Sequence, residues 1–329
     1  MTDPAVPASA GARVFPAASL PERVRARVER TYRRTTTARL QEPSFVYKNL
    51  EAVRVRRIMR ELGCKDPAFD VDAKDDMHAW ARRLGVRTPH LLAVHDDVRS
   101  LDWADLPDRF VLKPTRGTVS TGVYLLHREG ERWRDLLTRR TLAAEEIRRE
   151  VAGLVEAKEA SASFLLEELV EDPRFPGEQP PDYKVWTFFG RVGLIESKSH
   201  LLDADGRPTA GWRYFDPDWN DLGNVLNDDC DPALPPPLHA DELLELARTI
   251  SAAIPRSFLR VDLLDSADGP VLGEITPEPG GEVLLAPALD RLLGGYWEDA
   301  EARLKVRAAR AGTLTPADRP LDEALVRGE

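Results

Sequence analysis

The segment 257–281, SFLRVDLLDSADGPVLGEITPEPGG, sets two acids where they could share a cation. LRVDLL and PVLGEI are strand-like runs, and SADG between them is a turn signal, so the segment predicts a β-hairpin. With the turn centred on Asp268, Asp262 falls opposite Glu274 and Arg260 opposite Thr276. Side chains alternate faces along a strand. Arg260, Asp262, Glu274 and Thr276 therefore share one face, and Leu259, Val261, Leu263, Val271 and Ile275 line an apolar one. Cross-strand neighbours sit about 5 Å apart, where like charges repel. A divalent cation removes that repulsion, and two carboxylates with room for phosphate oxygens and water suit Mg²⁺ better than zinc. The alternative is an exposed hairpin with a solvated Arg–Asp pair.

A second group of residues could hold phosphates. In FVLKP (110–114), Lys113 stands at the end of an apolar strand, and a loop with Gly117, Thr118, Ser120, Thr121 and Gly122 follows. Small residues let backbone N–H groups approach a phosphate closely, and lysine adds a point charge. The flanks read strand–loop–strand, unlike a Walker site; the sequence has neither GxxxxGK[ST] nor a GxGxxG after a strand. LLEELV (165–170) ends a strand with acids and apolar residues, a composition suited to an adenine slot read by backbone groups. Asp182 and Lys184 alternate onto one face of the next strand, and Lys198 lies on the strand after it. Clustered or buried lysines need acidic or phosphate partners; a solvated strand face is the plain alternative.

The elements that must position these residues can be traced in order. Ser19-Leu20-Pro21-Glu22 is a capping-box pattern opening a helix with Val24, Val28 and Tyr32 on one face. Helices are expected over 50–62 and from about 72, the latter with Met77, Trp80, Ala81 and Leu84 on one face and Gly85 as a stop. Strands follow at 90–94, 110–114 and 123–127, a long helix at 139–158, and a strand at 163–170. DYKVWTFF, GR and VGLIESKSH read as strand, turn and strand; 201–237 reads as irregular, with aromatics Trp212, Tyr214, Phe215 and Trp219. A helix at 241–253 precedes the acidic hairpin, and another helix follows it. Without regular βαβ alternation, the order predicts α+β construction with largely antiparallel sheets.

Composition limits the partners. A chain of 329 residues carrying a net charge of −10 argues against a general nucleic-acid binder, although arginines crowd 23–39. At 42% hydrophobic the chain can bury a substantial core, and no apolar run reaches bilayer-spanning length. Cys64 and Cys230 are its two cysteines, with no CxxC spacing, which fits a reducing cytoplasm better than a disulfide or zinc framework. The N-terminal 1–18 reads as a disordered tail without signal-peptide character, and 313–329 as a loose tail.

Taken in order, these segments resemble the ATP-grasp superfamily, and more closely the TupA-like ATP-grasp family. The matching segments are FVLKPTRGTVSTG, the DYK of PPDYKVWTFFGRV, FDPDWN, and FLRVDLL…GEITPEPGG, and the resemblance covers about 45–300. It implies an ATP-grasp fold in which the nucleotide lies between two α+β subdomains. The central one would span 108–172, the C-terminal one 173–312, and a helical, substrate-side region 19–107. The resemblance further implies ATP and Mg²⁺ as cofactors. Lys74 and Lys113 would contact the α- and β-phosphates; Ser120, Thr121 and Gly122 would belong to the loop over the phosphates. Glu167, Glu168 and Val170 would form the adenine hinge, and Asp182 would hold the ribose. Lys184 or Lys198 would approach the γ-phosphate, Arg260 would face the transferring phosphoryl group, and Asp262, Glu274 and Thr276 would serve the metal.

Two positions depart from the family pattern. Thr276 stands where many ATP-grasp ligases have asparagine, with Glu278 as a nearby substitute ligand, and Ala73 rather than aspartate precedes Lys74. The activity implied is an ADP-forming carboxylate–amine ligase acting on small-molecule carboxylate and amine substrates of amino-acid or peptide type, in a chain for which a homodimer would suit the family. A kinase on the same scaffold, with Asp216 as base, and a nucleotide-binding protein without turnover are the alternatives.

Overall fold

Two antiparallel sheets make up the architecture, the first with a helix on one face and the second with helices on both. The computed structural model describes residues 42–64, 74–115, 121–202, 208–226, 230–279 and 283–313. The expected helix after Ser19 lies outside them. All the elements below belong to one compact unit that begins at Ser44.

The first sheet has six strands in the order β1-β6-β2-β3-β4-β5. They are β1 (Leu91–His95), β2 (Arg109–Pro114), β3 (Tyr124–Glu129), β4 (Arg132–Asp135), β5 (Thr141–Leu142) and β6 (Phe164–Glu167). Helix α3 (Ala144–Glu156) covers one face, where Ile147 and Val151 meet Phe110, Leu112, Leu126, Trp133 and Phe164. The 139–158 helix is thus shorter than expected. Arg139 adopts φ 55°, β5 pairs with β4, and the Glu146 carboxylate accepts the Ala143 N–H at 2.7 Å where the helix starts.

The second sheet has five strands in the order β11-β10-β7-β8-β9. They are β7 (Asp182–Phe188), β8 (Arg191–Leu202), β9 (Pro208–Phe215), β10 (Leu259–Ser266) and β11 (Gly269–Thr276). Strand β9 corrects the irregular reading of 201–237. Its glycine and proline argue for a loop, but pairing along the whole of β8, from Ile195↔Phe215 to Leu202↔Pro208, overrides that local preference. One face of this sheet packs on α4 (Ala240–Ala253) and on Met77 and Ala81 of α2 (Lys74–Leu84). Leu84, expected on the buried face of α2, is instead 40% exposed.

The opposite face divides along its length. One part buries aromatics against α1 (Phe45–Glu61) and α5 (Pro287–Arg310). Phe45 is fully buried among Trp186, Phe188, Phe258 and Trp297, with ring centroids between 4.8 and 6.1 Å away. Helix α1 starts five residues before the expected position because Ser44 caps it, its Oγ accepting the Tyr47 N–H at 3.1 Å. The helices approach closely at Gly294, where a Cβ would lie 2.4 Å from the Ser44 nitrogen. The other part of this face carries the acids and lysines.

The acidic hairpin forms with the expected pairs, Asp262↔Glu274 and Arg260↔Thr276, but by a different route. The turn is closed by Ser266↔Gly269, and a bulge at Gly273 then shifts the register by one residue. Consequently Leu272 rather than Gly273 lies opposite Leu263 and joins the apolar cluster under α4, and Val271, expected on that face, is buried opposite Leu264 instead.

Candidate nucleotide site

The uncovered faces of the two sheets enclose a cavity. From the first sheet come Val111, Lys113, Val123, Leu125, Glu167 and Glu168; from the second, Asp182, Lys184, His200, Asp262, Leu264 and Glu274. Leu169 and Val170, after β6, complete an apolar stretch of wall. Strand alternation explains the composition. Leu112 and Leu166 point into the α3 core, so Lys113 and Glu167 must point the other way.

Lys113 and Glu167 meet inside this wall, Nζ to Oε2 at 2.5 Å, and are 9% and 1% exposed. The other Glu167 oxygen lies 2.5 Å from His78 Nε2. Burial pushes the Glu167 carboxyl up, but the Lys113 ammonium and the His78 hydrogen bond outweigh it and hold the group below its ordinary value. Sequence reading did not single out His78. The signal was there in part: a carboxylate closing the wholly buried strand FLLE needs buried partners.

On the opposite wall, Asp262 is bound by two cations. Lys184 Nζ donates to its Oδ2 at 2.6 Å, and Arg260 donates Nε to Oδ1 at 2.7 Å and Nη2 to Oδ2 at 2.9 Å. Burial raises the Asp262 carboxyl, but the two cations prevail and keep it ionised. The same attraction holds Lys184 and Arg260 above their usual values despite burial. Asp182, 3.6 Å from Lys184 and within reach of His200, is likewise held low against its burial by Lys184, His200 and Lys198. Lys198, paired across from Asp182 and 5.7 Å from the centre of the Trp212 ring, is lowered, because burial and the Lys184 charge exceed the help from Asp182.

The two carboxylates fit a magnesium ion held jointly with phosphate. Asp262 and Glu274 are cross-strand partners, and among the described residues no group of three or more acids, histidines and cysteines forms an all-protein cage. Mg²⁺ characteristically takes one or two carboxylates and completes its shell with phosphate oxygens and water. Thr276 Oγ1 accepts Arg260 Nη2 at 3.3 Å, so this hydroxyl supports the guanidinium. Glu278, considered as a substitute ligand, instead pairs with Arg56 of α1 at 2.6 Å.

The remaining expected residues divide clearly. Lys113, Glu167, Glu168, Val170, Asp182, Lys184, Asp262 and Glu274 line the cavity together, and Arg260 braces it from beside Asp262. Gly122 takes φ +73° and sits over Pro114 and Leu154; neither it nor Thr121 lines the cavity. Ser120 and the Lys74 side chain lie outside the described residues. The His200 side chain is only 10% exposed, with Nε2 3.0 Å from Gln179 Nε2. Asp216 serves its own turn, accepting the Asp218 and Asn220 N–H groups at 2.9 Å. Tyr214 is buried in the aromatic core, and Trp219 packs on Tyr183 and Phe215. These aromatics anchor the 208–222 region rather than form a pocket.

Among the described residues no helix is long and apolar enough to cross a membrane. No curated protein matches the chain in sequence. Among solved structures, it is similar to D-alanine–D-alanine ligase from Bacillus anthracis complexed with ATP, at 15% identity and TM-score 0.46, covering 78% of this chain and 76% of that one. It is similar to the D-cycloserine synthetase DcsG at 19% identity and TM-score 0.43, covering 76% and 79%. A third is the ATP-grasp ligase PsnB complexed with a precursor variant, Mg and ADP, at 15% identity and TM-score 0.39; the match covers 72% of this chain and 60% of that one. The family model described as TupA-like ATPgrasp matches residues 54–298, from the middle of α1 into α5 and through every strand of both sheets, and the chain belongs to that family.

Proposed function

We propose that the protein is an ATP-dependent, ADP-forming carboxylate–amine ligase acting through an acylphosphate on an amino-acid or peptide-like substrate. The supporting observation is the cavity itself. It has a lysine-bearing wall with an apolar stretch on one side, and a carboxylate pair with two attendant cations on the other. In this reading 108–172 and 173–312 act as the two jaws. Backbone groups of 168–170 receive the adenine, Asp182 receives the ribose hydroxyls, and Lys113 and Lys74 meet the α- and β-phosphates. Asp262 and Glu274 would hold Mg²⁺, which supplies positive charge to the phosphate oxygens.

The chemistry needs no protein nucleophile. A substrate carboxylate oxygen attacks the γ-phosphorus, the bond from phosphorus to the β-bridging oxygen breaks, and ADP leaves. The amine nitrogen then attacks the acyl carbon, phosphate departs, and the amine proton is lost to solvent. In this reading Lys184, Lys198 and Arg260 offset the negative charge that gathers during phosphoryl transfer, the dominant requirement of such reactions. Cys64 and Cys230, both exposed and in no disulfide, suit a reducing cytoplasm.

The test is product analysis: protein, Mg²⁺-ATP, and pooled amino acids with amine acceptors, followed by chromatography and mass spectrometry. ADP, free phosphate and a product one water lighter than its reactants are expected. ADP with a phosphorylated acceptor would make the protein a kinase, and AMP would contradict the acylphosphate route.

A further inference from the structure

We infer that His78 is a positioning residue for nucleotide binding, fixing Glu167 and through it the Lys113 ammonium at the cavity wall. The inference rests on reading that cavity as the nucleotide site. His78 belongs to α2, whose Met77 and Ala81 are buried in the core of the second sheet. Its ring is 8% exposed and reaches the first sheet, where it meets Glu167 at the end of β6. Nε2 holds one carboxylate oxygen at 2.5 Å, Lys113 Nζ holds the other at 2.5 Å, and Nδ1 lies 3.0 Å from Thr88 Oγ1. Lys113, Glu167, His78 and the half-buried Thr88 thus form one continuous chain from the cavity wall to the segment just after α2.

The order of this chain explains the role. A lysine side chain is a flexible stem with a compact charge, and nothing in its own geometry fixes the ammonium. The position of Nζ is set by the carboxylate oxygen it meets. That carboxylate is oriented because its second oxygen is tied to an imidazole, which is tied in turn to Thr88. Without His78, Glu167 can rotate or draw both oxygens onto Lys113, and the ammonium leaves the place where phosphate oxygens need it. No part of His78 lines the cavity, so its effect passes through Glu167.

Calorimetric titration of Mg²⁺-ATP into wild type, H78A, H78Q, K113A and H78A/K113A tests the idea, with thermal melts alongside. Loss of one hydrogen bond to a charged group corresponds to about tenfold in affinity, so H78A is expected to bind about tenfold more weakly. H78Q, which keeps an N–H donor, should recover part of that loss. The double variant should bind no more weakly than K113A alone. A merely structural role would weaken K113A further by the same factor, and that result would overturn the inference. So would wild-type affinity in H78A, with the nucleotide reading left standing. Failure of the wild-type protein to bind Mg²⁺-ATP would overturn the nucleotide reading and the inference together. If H78A does not fold, Thr88→Val carries the test: weaker nucleotide binding at an unchanged melting temperature supports the role, and unchanged binding overturns it.

Discussion

Replacing Asp262 by asparagine should destabilise the protein in a way that a second substitution partly repairs. The Asp262 carboxylate is 5% exposed and is the shared counterion of Lys184 and Arg260, at 2.6, 2.7 and 2.9 Å. D262N removes the anion and leaves two buried cations facing a neutral amide. Removing one partner of a buried ion pair costs about 3–5 kcal/mol. At about 2 °C per kcal/mol, the lower end of the range for domains of 150–250 residues, the midpoint should fall by about 6–10 °C. Lys184→Met alone leaves Asp262 doubly bound to Arg260 and should cost about 1.5–3 kcal/mol, the range for a charged hydrogen bond. In D262N/K184M one stranded cation is gone, so the double variant should be more stable than the sum of the singles implies, by about 0.5–3 kcal/mol, as for residues in contact. Thermal and urea unfolding of the four proteins, without nucleotide or metal, provide the measurement. Additive losses, or a D262N midpoint equal to that of wild type, would refute the charge accounting.

The same arrangement implies that Mg²⁺ alone binds weakly, because two cations already neutralise Asp262; calorimetry should show magnesium uptake only when ATP is present. Glu167, Asp182 and Asp262 all have folded-state values below their unfolded ones, so the unfolded chain binds more protons in acid. Their stabilisation is complete above about pH 4.5 and is lost as pH falls below it; the unfolding midpoint measured from pH 7 to 3 should drop less steeply in Glu167→Gln than in wild type. Gly294→Ala would place a methyl carbon 2.4 Å from the Ser44 nitrogen and 2.6 Å from its carbonyl carbon. Backbone cannot yield as a side-chain tip can, so α1 should separate from α5 at a cost of about 1–3 kcal/mol, seen as a lower melting temperature and faster proteolysis near residue 45.

Much of the site was legible because its chemistry repeats at strand spacing. Lys113, Asp182, Lys184, Asp262 and Glu274 each stand on an alternating run whose other members are apolar, so the face they occupy follows from period two alone. What escaped depended on contacts distant in sequence. His78 is tied to Glu167 across 89 residues, and no local pattern announces that pairing. Strand β9 forms because β8 offers it a long edge, against its own glycine and proline. The Gly273 bulge left the acid pairing as expected while setting Leu272 rather than Gly273 opposite Leu263, an offset that turn geometry alone does not reveal.

The order of elements along the chain also has a bearing on synthesis. The first sheet is built from 91–167, a continuous stretch that can pair as it leaves the ribosome. Helix α1 precedes it, yet the rings that enclose Phe45 are Trp186, Phe188, Phe258 and Trp297, all made later. Helix α2 likewise waits for Leu259, Val261 and Ile275 to cover Met77 and Ala81. The amino-terminal helices are therefore the last to find their places: a nascent chain carries α2 with its apolar face uncovered until β10 and β11 emerge, and α1 until α5 emerges. In that interval an upstream chaperone or a protease meets Phe45 rather than the jaws of the site, and cleavage near residue 45 in chains arrested before residue 287 would report it.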